Sequence, residues 1–134
     1  MARVRQKGTR AELVVASVLR SIGATYRLNV RSLPGSPDFA NKGKRWAIFV
    51  HGCFWHRHSG CHKATIPKAN RQFWLTKFTD NRARDARAIR ALRADKFRVI
   101  VVWECEIAKD ELAARLSKLL ESSRVKMRDP IDHR

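Results

Sequence analysis

The stretch Asp38-Phe39-Ala40-Asn41-Lys42-Gly43-Lys44-Arg45-Trp46-Ala47-Ile48-Phe49-Val50 reads as a β-hairpin. Asp38–Ala40 predicts a short strand, Asn41-Lys42-Gly43-Lys44 has the polar, glycine-containing chemistry of a hairpin turn, and Arg45–Val50 predicts a buried strand. Upstream, Ser32-Leu33-Pro34-Gly35-Ser36-Pro37 is a turn-rich approach to this hairpin, and Tyr26–Val30 predicts another strand. Before it, Thr9–Ile22 predicts a helix. Leu13, Ala16, Val18, Leu19 and Ile22 recur at helical spacing, Thr9 and Glu12 have capping-box spacing, and Gly23 stands where a C-cap is wanted.

Downstream, His51–Arg71 predicts a long loop crowded with Cys, His and aromatic residues, and loops of that length are usually functional. A helix over Gln72–Ala94 follows, with Phe73, Trp74, Phe78, Ile89 and Leu92 as its apolar contacts. Arg84, Arg87, Arg90 and Arg93 recur every three residues along it, a basic stripe facing solvent or phosphate. Phe97–Trp103 predicts a buried strand and Asp110–Ser122 an amphipathic helix built on Leu112, Leu116, Leu119 and Leu120. The whole is expected to be one domain over residues 1–134, with a short arm over 1–8 and a frayed tail over 124–134. The order of elements suggests an α/β (α+β) layered fold with a mixed sheet.

Composition narrows the partner. The 134 residues include 29 Lys+Arg against 12 Asp+Glu, a net charge of +17, while 44% are hydrophobic. A folded domain with that surplus implies a polyanion, because neutralised phosphates release their counterions. The alternatives are a basic protein tuned for solubility or one that binds an acidic membrane surface. No apolar run approaches the ~20 residues that span a bilayer, so no membrane role is expected. Met1-Ala2-Arg3-Val4-Arg5 has no apolar segment behind its charges, so a cytoplasmic, bacterial-type protein is expected. Cys53, Cys61 and Cys105, an odd number far apart, argue against disulfides in that compartment and leave buried thiols or metal ligands.

Asp38 at the head of one strand, with Val50 and His51 ending the next, has the layout of a restriction-nuclease-like active site. Mg²⁺ wants hard oxygen ligands, and a hairpin sets a carboxylate beside a backbone carbonyl of the neighbouring strand. His51 and His56 bracket a Gly-Cys-Phe-Trp turn, and either imidazole can act as a base or hold a water. Asp85, on the following helix, could orient one of them. Each residue alone has a plainer explanation: Asp38 as a turn residue after proline, His51 as a satisfied loop histidine, Glu12 as a capping-box member, Asp85 as an arginine's ion-pair partner.

Cys53, His58, Cys61 and Cys105 form a Cys₃His set of the kind that holds structural zinc, with His62 a rival for the histidine place. Three buried thiols are as good an account of the composition. Phe54, Trp55 and Trp74 lie in or just after the basic loop region, where flat side chains can wedge between base pairs; Trp46 and Trp103 are assigned to the core.

With Leu33-Pro34-Gly35-Ser36-Pro37-Asp38-Phe39, Phe49-Val50-His51-Gly52-Cys53-Phe54-Trp55-His56, Phe73-Trp74-Leu75, Asn81 to Asp85 and Val101-Val102-Trp103-Glu104-Cys105 in view, the chain resembles the very-short-patch mismatch-repair endonucleases from about Met1 to Ile107. The resemblance implies a restriction-endonuclease-like three-layer fold, a central mixed sheet flanked by helices, with a structural zinc site. It implies Mg²⁺-dependent nicking of double-stranded DNA on the 5′ side of the thymine in a T:G mismatch left by deamination of 5-methylcytosine. By resemblance, Asp38 and the backbone carbonyl of Val50 bind Mg²⁺, Glu12 and His51 act through waters on the metal, and His56 is the general base or its water-holder, with Asp85 hydrogen-bonded behind it. Cys53, His58, Cys61 and Cys105 hold Zn²⁺, and Phe54, Trp55 and Trp74 intercalate beside the mismatch. A monomer is expected, and MutL-type repair proteins are partners the resemblance leaves open. Two other readings stand beside it: a related nuclease of restriction or defence, and a non-catalytic zinc module that binds DNA.

Overall fold

A computed structural model describes residues 10–53 and 66–118 of the chain. In order come α1 (Arg10–Ser21), β1 (Arg27–Leu28), β2 (Phe39–Asn41), β3 (Trp46–His51), α2 (Arg71–Ala94) and β4 (Arg98–Trp103). Residues 109–118 are helical and form the described part of α3. The strands make one sheet in the order β1-β2-β3-β4. Its first two pairings are antiparallel, and β3 runs parallel to β4 from Trp46↔Arg98 to His51↔Trp103. A parallel pair cannot be joined by a hairpin, and α2 lies in the crossover between them.

Side-chain alternation along β3 builds the layers. All six of its residues are buried, as an apolar run covered on both faces should be. Trp46, Ile48 and Val50 join Ala11, Val15, Val18 and Leu19 of α1 and Leu112 and Leu116 of α3 in one core. Ala47 and Phe49 join Ala88 and Leu92 of α2, with Val30 and Phe97, in a second. The result is a three-layer, mixed α+β domain with α1 and α3 on one face of the sheet and α2 on the other. Among the described residues, no helix is long and apolar enough to cross a membrane.

Local chemistry sets the element ends. α1 closes as the sequence predicts: Gly23, at φ 75°, donates its N–H to Arg20 O, and Ala24 donates to Leu19 O. This is the paired C-terminal cap that needs a left-handed residue. In the hairpin turn the Asn41 side chain accepts the Lys44 N–H at 2.9 Å, and Arg45 is left-handed at φ 56°.

Several boundaries differ from expectation. β1 is two residues long rather than Tyr26–Val30, because Asn29 turns to φ 46° and leaves the extended conformation. The backbone pairing nevertheless continues, with Asn29 N–H on Asp38 O and Val30 N–H on Pro37 O. β2 begins at Phe39, one residue after Asp38, and His51 is the last residue of β3 rather than the first of the loop. Phe73 was expected to pack against the domain but is 58% exposed. Trp103, assigned to the core, is only half-buried at the end of β4, whereas Trp46 is fully enclosed. The 1–8 arm, Leu119, Leu120 and the tail lie outside the described residues.

Candidate active site

Asp38 is the one buried carboxylate among the described residues, 8% exposed. The register Phe39↔Ile48 carries the Asp38 side chain alongside the end of β3, where its Oδ2 accepts the Val50 N–H at 2.7 Å. The preceding turn holds it there. Gly35 stands at φ +75°, and a Cβ on it would lie 2.6 Å from Ala88 Cβ of α2. Only glycine allows both that backbone conformation and that approach, so the turn bearing Asp38 rests directly on the helix bearing Asp85.

His51 is 5% exposed. Its place in the alternation, shared with Ala47 and Phe49, turns it toward α2. The imidazole meets the Phe49 ring at 5.9 Å and the Trp103 ring edge-on at 5.1 Å. Its Nε2 lies 4.0 Å from Asp85 Oδ2, beyond direct hydrogen-bond range but close enough for an ion pair when the ring is protonated. A cavity of about 150 Å³ opens here, lined by Gly35, Phe49, His51, Arg84, Asp85 and Ala88 among others.

The structure therefore joins Asp38 to Val50, and His51 to Asp85, at one end of the sheet. Asp85 lies beside His51; its expected partner His56 lies outside the described residues, as do Phe54, Trp55, His58, Cys61 and His62. Glu12 is half-buried in the first turn of α1, the helix on the opposite face of the sheet from α2. Trp74 is half-buried and stacks on buried Phe78, centroids 5.8 Å apart, with exposed Phe73 edge-on at 5.2 Å. Cys53 is buried and Cys105 exposed. Because His51 pairs with Trp103, each cysteine stands two residues past the same end of adjacent strands.

Three residues of this region were not singled out from the sequence. Glu104 Oε1 accepts the Cys53 N–H at 2.8 Å, and the Glu104 N–H bonds His51 O at 3.0 Å, which ties the exits of β3 and β4 together. Asn81, buried on α2 one turn before Asp85, and Gly35 are the others. A polar residue at the helical spacing of Phe78, Ala88 and Leu92 was the available signal for Asn81.

The donor chemistry suits a divalent cation that is only partly caged by protein. Mg²⁺ commonly takes one or two carboxylates, keeps several waters and completes its shell with substrate phosphate. A single buried carboxylate beside the end of a strand provides that kind of partial site. Among the described residues no three His, Cys, Asp or Glu side chains cluster as a metal cage.

A buried carboxylate and an imidazole–carboxylate pair at one sheet end, in a chain of net charge +17, suit chemistry on a nucleic acid, and comparison with known proteins supplies the class: DNA endonucleases. The family model described as DNA mismatch endonuclease Vsr matches residues 1–63. The type II nicking enzyme V.XorIIP of Xanthomonas oryzae pv. oryzae is 47% identical over 124 residues, covering 92% of this chain and 90% of its own. The type II nicking enzyme V.NmeAIP of Neisseria meningitidis is 40% identical, covering 90% and 86%. DNA mismatch endonuclease Vsr of Escherichia coli is 40% identical over 107 residues, covering 80% and 68%. The chain belongs to the Vsr family of DNA mismatch endonucleases.

Proposed function

We propose that the protein nicks one strand of duplex DNA on the 5′ side of the thymine in a T:G mismatch arising from 5-methylcytosine deamination, with Mg²⁺ as cofactor, and so starts short-patch repair. Two contacts at one sheet end support the reading: the Asp38 carboxylate on the Val50 N–H, and His51 beside Asp85. Asp38 and the Val50 carbonyl would hold the cation, which when bound supplies Lewis-acid polarisation of the phosphate and a more acidic water. Glu12 and His51 position water, and His56 or His51 takes its proton, with Asp85 stabilising the imidazolium that forms. The water oxygen bonds to phosphorus as the P–O3′ bond breaks. The departing 3′-oxygen takes a proton from solvent, leaving 3′-hydroxyl and 5′-phosphate ends.

Cys53, His58, Cys61 and Cys105 (or His62 for His58) would hold a structural zinc that orders the loop after β3. The common strand end from which Cys53 and Cys105 emerge supports this. Phe54, Trp55 and Trp74 would wedge at the mismatch, Trp74 being half-buried where α2 begins. The basic surface supplies sequence-independent affinity. The enzyme works as a cytoplasmic monomer, with a MutL-type protein as a candidate partner.

A second reading has its own support: two of the relatives above are named type II nicking enzymes. On that reading the chain serves a restriction system and nicks paired sites. A panel of T:G, T:A and C:G duplexes with varied flanking bases, assayed with Mg²⁺ and with EDTA, separates the two. Metal-dependent nicking confined to T:G supports repair, and equal nicking of paired duplexes rejects it.

A further inference from the structure

We infer that Arg84 contacts the phosphate being cut and stabilises the charge that builds on it, a role that rests on the hydrolysis proposed at the Asp38–His51 site. Arg84, Arg87, Arg90 and Arg93 are all exposed on α2, and their spacing of three suggests a single stripe. An α-helix turns about 100° per residue, so each step of three falls back by about 60° and the four spread over roughly 180°. They do not share a face. The buried face of α2 is marked by Phe78, Asn81, Ala88 and Leu92. Arg84, one turn before Ala88, stands on the shoulder of that face, while Arg87 and Arg90 wind away from it.

The consequence is visible in the cavity of about 150 Å³: its lining includes His51, Asp85 and Arg84 but none of the other three arginines. Among the described residues Arg84 has no ion pair or hydrogen bond. No described residue therefore occupies its donors. A guanidinium presents them in a planar fork that matches two oxygens of a phosphate. As the water oxygen bonds to phosphorus and the P–O3′ bond breaks, negative charge grows on the phosphoryl oxygens. A guanidinium that closes on those oxygens is worth more in the transition state than in the bound substrate. Arg84 thus differs in kind from the rest of the basic surface, which acts on binding.

Single-turnover nicking of a T:G duplex by saturating enzyme, with duplex affinity measured separately, tests this. Arg84→Ala is compared with Lys44→Ala, which removes one charge from the hairpin turn at the far end of the sheet. Lys44→Ala leaves the saturated rate unchanged. Arg84→Ala lowers it by about 100- to 1,000-fold, the loss typical of removing one transition-state donor, with a melting temperature equal to wild type. Arg84→Lys recovers part of the rate, and so does added guanidinium with Arg84→Ala. A saturated rate for Arg84→Ala within about threefold of Lys44→Ala overturns the inference and leaves the Asp38 assignment intact. A wild-type protein that nicks no duplex overturns the reading beneath it.

Discussion

The Asp38 carboxylate accepts the Val50 N–H at 2.7 Å, so the residue that leads β2 is fastened to the last-but-one residue of β3. One side chain carries both a structural bond and the site's buried charge, and substitutions can separate the two. Asn keeps an oxygen acceptor and removes the charge. Asp38→Asn is expected to melt close to wild type, retain duplex binding and lose nicking by more than about 1,000-fold, measured by nicking and gel-shift assays side by side. Asp38→Ala leaves a buried N–H unsatisfied and should also lose about 1–3 kcal/mol of stability in urea denaturation.

Gly35 is the point where the Asp38 turn meets α2. In Gly35→Ala the new methyl would lie 2.6 Å from Ala88 Cβ, and the backbone is at φ +75°. Overpacking and left-handed strain together should cost about 2–5 kcal/mol. Because the shift moves a wall shared with His51 and Asp85, nicking should fall more steeply than stability. Urea titration and nicking by the folded fraction measure the two effects.

Glu104 joins the exits of β3 and β4 through the Cys53 amide. Glu104→Gln keeps the acceptor, and its stability should stay near wild type. Glu104→Leu strands a half-buried N–H and should cost about 1–3 kcal/mol. Equal stability of the two variants in thermal melts would show that the bond does not fasten this junction.

Cys53 and Cys105 leave adjacent strands at the same end. If they share a zinc with His58 and Cys61, purified protein carries one zinc per chain by elemental analysis, and Cys105→Ser loses it along with much of the melting temperature. Strong chelators should lower the wild-type melting temperature and leave that of Cys105→Ser where it was. Zinc-free protein with an unmoved melting temperature would contradict the assignment.

The sequence was most informative where one interaction dominates. Gly23 closes α1 because a helix end needs a left-handed residue, and the apolar run of β3 is buried because both faces are covered. Asp38 and His51 were singled out from their places at the ends of two strands, and strand pairing does set the Asp38 carboxylate on the Val50 N–H next to His51. Tertiary relations left weaker traces. The Gly35–Ala88 approach joins residues far apart in sequence, and the turn motif around Gly35 explains the glycine without it. Glu104 looks like any exposed acid until β4 is known to lie beside β3. Phe73 was misassigned because apolar character was read as burial in the first turn of a helix, where the ring is 58% exposed. The four arginines of α2 are all exposed, as their pattern suggested, but a period of three does not match a 3.6-residue turn, so the stripe winds around the helix rather than running along one face.

On the proposed reading, Asp38 supplies the charge for metal-dependent nicking at a mismatch. Its most direct test is strand-resolved nicking of a T:G duplex and the matching T:A duplex by wild type and Asp38→Asn, with and without Mg²⁺. One break is expected, 5′ to the mismatched thymine, and only with wild type in the presence of Mg²⁺. Nicking that survives in Asp38→Asn or without divalent metal, or that is equal on T:A, would contradict it.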